Sequence, residues 1–438
     1  VIPKFLRGLY LLIFDELGHL KEDYNIEAIF FMRQICYMAK KVEISCSDEA
    51  VEQEVQQFFD TDASLPEPEG FWDTVAPTTS DITNVYKGFS FSMRYCEKLG
   101  ALDPALSEVT SVFMTNMDIV SRLIMGTLGS YDPKRYSFRH GPGAIAEVTG
   151  PKNKYCWTNW SDRLEACYPI ADYGFHSWSA WAGLVGEDDV FVDSQEPSSR
   201  LVAVPKTFTK PRLIAAEPSE HQWCQQNVWH YFCTRASQSW ISEFVLFRDQ
   251  TKNQALCRRA SIDGKLATID LSEASDRVTC HLVGQWARSN PSLLKALQST
   301  RTRSVSQKLN SRVPESILLR KFSTMGSACT FPVESLLFLT IAIAAVLSKR
   351  KLEANIRNII SLRDEVAVFG DDIVIPTDSR LLFTQALEVL DFKVNDHKSF
   401  WTGGFRESCG LDAFRGVEVT PVYWKGPCGR DPESIVRT

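Results

Sequence analysis

Residues 366–376 read VAVFGDDIVIP. Strand-forming apolar residues run up to Gly370-Asp371 and away again after Asp372, and a Gly-Asp pair between two such runs is a two-residue hairpin signal. Neighbours in a strand point to opposite faces. A tight turn breaks that alternation, so Asp371 and Asp372 can approach one point. Two carboxylates sharing a site need a partner, or one keeps its proton. A divalent cation is the natural partner, and Mg²⁺ favours a few carboxylates plus phosphate oxygens over an all-protein cage. Taken alone, the stretch reads more simply as an exposed turn with solvated aspartates.

Three other stretches change that reading. ATIDLSEASD, residues 267–276, places Asp270 near the end of an apolar strand and Asp276 on the following turn. Residues 264–287 read as strand, turn and helix, with Ser272 the expected N-cap. A strand-end Asp upstream of a hairpin-tip Asp pair suits a two-metal phosphoryl-transfer site, whose ions sit about 3.5–4 Å apart and clamp the attacking and leaving oxygens. STMGSACTFPVES, residues 323–335, sets Gly326 between a strand and a long apolar helix, where glycine allows close backbone approach. In VPKTFTKPR, residues 204–212, Lys206, Lys210 and Arg212 cluster on strand-like sequence, and Arg can grip phosphate oxygens bidentately.

The rest of the chain bounds the answer. Its 438 residues suggest two to three structural units or one large multi-lobed domain. With 48 basic and 54 acidic residues the net charge is −6, which argues against a highly basic nucleic-acid coat protein but leaves room for a basic channel. The twelve cysteines form no C-x-x-C pair, so neither a zinc site nor a disulfide framework is indicated, and a reducing compartment fits. The longest apolar run, LLFLTIAIAAVL at 336–347, falls short of the roughly 20 residues that span a bilayer and reads as a buried helix. Residues 1–40 and 81–130 read as helical. The lysine- and arginine-free stretch between Lys41 and Lys87 contains an expected exposed loop at 62–81, and residues 43–70 read as either a docking surface or a solvated loop. Residues 303–326 read as a hairpin. The basic runs 248–265 (Arg248, Lys252, Arg258, Arg259 and Lys265) and 301–321 are candidate walls of such a basic channel, or equally solvated faces. The chain opens on Val1 in sequence that already resembles the interior of a domain, which points to a fragment.

Taken in order, the basic strand, the strand-end Asp, the Gly loop with its helix and the Gly-Asp-Asp hairpin resemble the blocks of viral RNA-dependent RNA polymerases. TIDLSEASD, MGSACTFPVESLLF, VFGDDIVIP, KSFWTGGFRESCG and GVEVTPVY are together similar to the replicase beta subunit of positive-strand RNA bacteriophages, the levivirus group. The resemblance covers about residues 130–424.

It implies an α+β right hand with fingers, palm and thumb and an antiparallel palm sheet flanked by helices. Residues 1–130 would be an N-terminal helical, fingers-associated region, 131–263 fingers, 264–400 palm, and 401–438 a palm–thumb junction or partial thumb. It implies RNA-templated RNA synthesis from NTPs with pyrophosphate release, using two Mg²⁺ ions, with Mn²⁺ as a substitute. Asp270, Asp371 and Asp372 would be the catalytic, metal-binding carboxylates. Lys398 would protonate pyrophosphate, with Lys393 in reserve. Lys206, Lys210, Arg212, Ser275, Asp276, Gly326, Ser327, Thr330 and Glu334 would bind the NTP. Met-Gly-Ser-Ala at 325–328 departs from the family's usual Met-Gly-Asn-Gly. The implied partners are template and product RNA together with the host elongation factors Tu and Ts and a ribosomal protein, with no membrane, in the cytoplasm of the bacterial host.

Competing readings are a reverse transcriptase or narnavirus-like replicase, a catalytically dead RNA-binding scaffold, and a metal-dependent nuclease. Gly370 before the Asp pair weighs against a reverse transcriptase, FRESCG against other replicase lineages, the three carboxylates together against a dead scaffold, and the basic strand against a nuclease.

Overall fold

The chain was analysed as a computed structural model that describes residues 3–42, 44–78, 81, 107–147, 154–155, 157, 159–185, 193–207 and 209–426. The helical expectation for 82–106 and the end of the expected thumb, from 427, lie outside the described residues. Helices and antiparallel strands are interleaved along the chain, which makes the fold α+β.

The Thr330–Lys349 helix organises the core. It is apolar on every side, and such a helix is stable only when surrounded. By length and composition it could cross a membrane, but 94% of its apolar window is buried inside the protein. It packs against the Ser107–Leu128 and Arg380–Val389 helices and the sheet beneath. Polar ties fix its rotation: Asn116 Nδ2 donates to Ser348 Oγ at 2.9 Å and Trp286 Nε1 to Thr340 Oγ1 at 3.0 Å. The core around it gathers residues from Phe71 to Phe392, and each fully buried Leu or Phe contributes about 1.5–3 kcal/mol.

That sheet has three antiparallel strands, with Asp372–Pro376 between Leu266–Ile269 and Ala367–Phe369. A second sheet runs Pro211–Ala216, Ser199–Pro205, Ser304–Ser306, Ser316–Leu318, and its last two strands confirm the hairpin read in 303–326. A third, Phe405–Ser408, Leu411–Phe414 and Val417–Glu418, packs on the Thr251–Asp263 helix.

Several expectations are corrected. The helix after Asp270 begins at Cys280, and its N-cap is Thr279, whose Oγ1 accepts from Leu282 N–H at 3.1 Å. Ser272 instead pairs with Lys393 in a short ladder. The stretch 62–81 is an exposed loop only in part: residues 73–76 are exposed, but Phe71 and Trp72 are 3% and 0% exposed in the main core. The acidic stretch before it contains a helix, Asp48–Ser64, started by Ser47 Oγ accepting from Ala50 N–H, with Asp48 and Glu49 in the first turn.

The basic run 301–321 lies against the acidic stretch: Arg312 meets Glu52 at 3.5 Å, Arg320 meets Glu67 at 2.6 Å and Arg303 meets Asp73 at 3.5 Å. Exposed pairs of this kind are each worth about 0–1 kcal/mol, so they orient the helix more than they hold it. Val55, Phe58 and Phe59 hold it, packed on Leu201, Ala215 and Val305. In the run 248–265, Arg258 pairs with Glu418, and Lys252 and Arg259 donate to the carbonyls of Glu243 and Asp364.

Candidate active site

The hairpin forms as the sequence indicates. Phe369 pairs with Asp372, leaving Gly370-Asp371 as a two-residue turn. Gly370 has φ +60°, the left-handed region expected at the first centre of a type II′ turn. Its N–H donates to Ser335 Oγ at 2.9 Å, and a Cβ there would meet the Phe331 ring at 3.0 Å. The Leu266–Ile269 strand pairs Ile269 with Ile373, so Asp270 emerges beside the turn.

A cleft of about 700 Å³ opens at this point. It gathers Asp270 and Asp371, Lys206, Lys210 and Arg212, Ser275 and Asp276, Gly326, Ser327, Thr330 and Glu334, and both Lys393 and Lys398. Asp372 is not on its wall. Strand alternation turns it the other way, and its Oδ1 accepts from Cys409 N–H at 3.0 Å and Ser408 Oγ at 3.5 Å. The hairpin therefore presents one carboxylate to the cleft and spends the other on the 405–414 sheet.

Three residues of the set have internal duties. Gly326 has φ +136°, and a Cβ would lie 1.9 Å from the carbonyl oxygen of Ala215. The close approach is to the protein's own backbone, where Ala215 N–H donates to Met325 O at 2.8 Å. Thr330 Oγ1 donates to Thr324 O at 2.7 Å and closes the same loop. Lys210 pairs with Glu54 at 2.9 Å, across from the acidic helix.

The electrostatics are those of crowded carboxylates. Burial pushes Asp270 up to about 7; Lys398, at 3.6 Å, opposes this, and Asp371 and Asp372 add to it. Asn395 Nδ2 donates to its Oδ2 at 2.8 Å. Burial also raises Asp371, with Asp372 next, and raises Glu334 well above the carboxylate range, with Asp371 and Asp276 contributing. Burial lowers Lys206, helped by the neighbouring charges of Arg212 and Lys398. Burial pulls Lys398 down as well, but Asp270 and its neighbours outweigh it and keep the amine protonated.

This donor set suits a divalent cation of the Mg²⁺ type. Among the described residues no three His, Cys, Asp or Glu side chains form an all-protein cage. Two carboxylates with open space and cationic side chains opposite leave the remaining positions to water and phosphate, as Mg²⁺ prefers. A cation would also relieve the burial that raises Asp270 and Asp371.

The sequence reading missed the cleft's far wall. Glu54, Gln57, Phe58 and Thr61 of the Asp48–Ser64 helix line it. Beneath them lies Lys321, fully buried, with Nζ 3.1 Å from Asp276, 3.9 Å from Asp62 and 3.3 Å from the Phe58 ring centroid. Glu273, at φ +56°, accepts from Thr61 at 3.2 Å and Arg277 at 3.1 Å. Glu273 lies in TIDLSEASD, but no motif marks the helix residues or Lys321; their only signal is the complementary charge of two remote runs.

An α+β chain that sets carboxylates against a basic strand across one cleft has the makings of a metal-and-phosphate site. The chain belongs to the RNA replicase beta-chain family, whose model matches residues 170–437. It is 33% identical to the RNA-directed RNA polymerase beta chain of Enterobacteria phage GA over 236 residues, 54% of this chain and 40% of that one. It is 36% identical to the same-named protein of Enterobacteria phage fr over 224 residues, 51% of this chain and 37% of that one. Against the RNA-directed RNA polymerase subunit beta of Qbeta virus (strain MX1) it is 32% identical over 238 residues, 54% and 37% of the two chains. The chain thus spans at most 40% of the length of these curated relatives.

Proposed function

We propose that this chain carries the catalytic centre of a phage RNA-directed RNA polymerase, joining NTPs on an RNA template. The observation behind this reading is the single cleft in which Asp270 and Asp371 face Lys206 and Arg212. The three-stranded sheet bearing both aspartates is then the palm of a right-handed polymerase, and the Ser199–Ala216 hairpin belongs to the fingers. Two Mg²⁺ ions held by Asp270 and Asp371 would activate the attacking 3′-hydroxyl and neutralise the triphosphate.

The protein's own groups do the rest. Lys206 and Arg212 bind the triphosphate oxygens and fix the α-phosphate in line with the nucleophile; such positioning and charge neutralisation supply most of the acceleration in phosphoryl transfer. Asp276, anchored by Lys321, faces the ribose with Ser275 and Glu334. Lys398 stays protonated beside Asp270 and supplies the proton that the leaving pyrophosphate takes up. Asp372 supports the turn through the Cys409 amide and adds negative charge behind the metals. Ser327 and Ala328, which replace the family's usual Asn and Gly, leave the carboxylates and the loop closure intact, so activity is expected despite the change.

The relatives' names, beta chain and subunit beta, imply a complex with further subunits, and host elongation factors Tu and Ts and a ribosomal protein belong to the same proposal, acting in the bacterial host. The test is extension of a self-priming RNA hairpin with NTPs and Mg²⁺. Extension by the wild type that Asp371→Asn loses supports the reading. Extension by neither, with bacterial extract added, sinks it.

A further inference from the structure

A second cavity, of about 560 Å³, lies outside the catalytic cleft. Its walls come from the 135–139 segment, the Ser219–Ser237 helix and the 245–249 turn. Arg139, Arg248 and His230 line it, together with Arg135, which pairs with Asp132 at 3.4 Å. The one carboxylate on the wall, Asp249, is occupied in accepting from Thr251 N–H at 2.9 Å. Arg139 and Arg248 form no ion pair among the described residues, whereas the basic run 301–321 is largely matched by acidic residues. Burial lowers His230, and the positive charge of Arg139 and Arg248 lowers it further, so the field inside the cavity is positive. His230 Nδ1 donates to Ser137 O at 2.6 Å, which fixes the ring and leaves Nε2 as its free edge.

The same walls carry flat apolar surface. Tyr136 supplies it, half-buried and held parallel to Tyr131 at 6.1 Å and 5°, while Phe247, only 9% exposed, ties the wall into the main core. Phe247 packs on Phe331 at 6.1 Å, and Phe331 packs on Phe369 at 4.8 Å, directly before the catalytic turn. Unpaired guanidiniums beside aromatic faces are the chemistry that holds a single-stranded nucleic acid, with phosphates on the cations and bases on the rings. In a chain of net charge −6, uncompensated positive charge at one place calls for a specific anionic ligand.

We infer that this cavity binds the sugar–phosphate backbone of single-stranded RNA, at a site separate from the catalytic cleft and joined to it by the Phe247–Phe331–Phe369 stack. The inference rests on the proposed RNA chemistry, but its test reads binding and not synthesis. Binding of an unstructured oligouridylate is measured by fluorescence anisotropy across a salt series. The chains compared are the wild type, Asp371→Asn, and the double variant Arg139→Gln/Arg248→Gln. Asp371→Asn should slow extension by about 10²–10³-fold and keep this binding, so failure of the catalytic reading and failure of this one are told apart.

The double variant should bind at least about 10-fold more weakly, and the slope of log affinity against log salt should fall by roughly 1.4, the loss of two single-strand phosphate contacts. Unchanged affinity and slope overturn the site. Cys233, a half-buried thiol on the cavity wall, gives a second readout in the wild type that does not depend on the variant folding. The oligonucleotide should protect it from alkylation, scored by peptide mass spectrometry, and absence of protection counts against the site. Equal protection by inorganic tripolyphosphate at matched phosphate concentration would show a free polyphosphate site and overturn the strand reading.

Discussion

Asp371→Asn and Asp372→Asn remove the same charge one position apart, yet they act on different sides of the sheet. Asp371 faces the cleft, and its loss should slow nucleotide addition by about 10²–10³-fold. At Asp372 the amide oxygen of Asn can still accept from Cys409 N–H, so the turn survives and the loss should stay near 10-fold, on the order of one missing charge behind the proposed metal site. Single-turnover extension rates of the two variants check the order; equal losses would place Asp372 in the cleft after all. A second residue-scale prediction concerns stability. Burial raises Glu220 from 4.5 to about 8, with Glu147 and Glu217 nearby, and its Oε1 has no hydrogen-bond partner. A raised carboxyl stabilises the fold fully below the unfolded value near 4.5, and that contribution is lost as pH rises towards 8. Glu220→Gln keeps the neutral form at every pH. Relative to the wild type, the variant should therefore gain on the order of 3 kcal/mol between pH 4.5 and 8, read from urea midpoints.

At the scale of elements, the 325–328 loop and the Pro211–Ala216 strand are one unit, because only glycine fits at 326. Gly326→Ala forces a Cβ onto the Ala215 carbonyl and should cost at least about 2 kcal/mol, measured by thermal unfolding, while raising the KM for NTPs through displacement of Arg212. The hairpin and the buried Thr330–Lys349 helix could be read from sequence because local chemistry decides them: a Gly-Asp turn, and one long apolar run. Asp270, Asp371, Lys206, Lys210 and Arg212 were legible because each lies in a short motif at an element end, whereas Glu54, Gln57, Phe58 and Thr61 on the far wall were not. The failures have a common cause in remote partners. Ser272 resembles a cap until Lys393 pairs with it. Phe71 and Trp72 look exposed among prolines and acids until the core closes over them. Lys321 carries no motif at all; only the approach of the acidic helix turns it into the buried anchor of Asp276.

At the scale of the whole molecule, the Ile26–Tyr37 helix grips the Phe405–Glu418 sheet. Arg33 pairs with Asp412, donates from Nε to Val419 O at 3.1 Å and lies 4.9 Å over the Phe405 ring. Gln34 exchanges hydrogen bonds with Val422, and Trp424 N–H donates to Met38 O at 2.8 Å. Arg33→Ala strands a nearly buried Asp412 and should cost about 3 kcal/mol. Hydrogen exchange should rise in the 405–420 strands first, and unchanged protection there would argue against the clasp. The same sheet backs Asp372, so the clasp reaches the catalytic turn in two steps.

That clasp also orders events in time. Arg33 and Asp412 are 379 positions apart. At roughly 5–20 residues per second, a ribosome needs on the order of 20–80 s to deliver the second after the first. For that interval the opening helices have left the ribosome with the exposed face that the last strands will cover, and the sheet that braces the catalytic turn is not yet made. The brace behind Asp372 therefore cannot form early; it waits for the strands of residues 405–418.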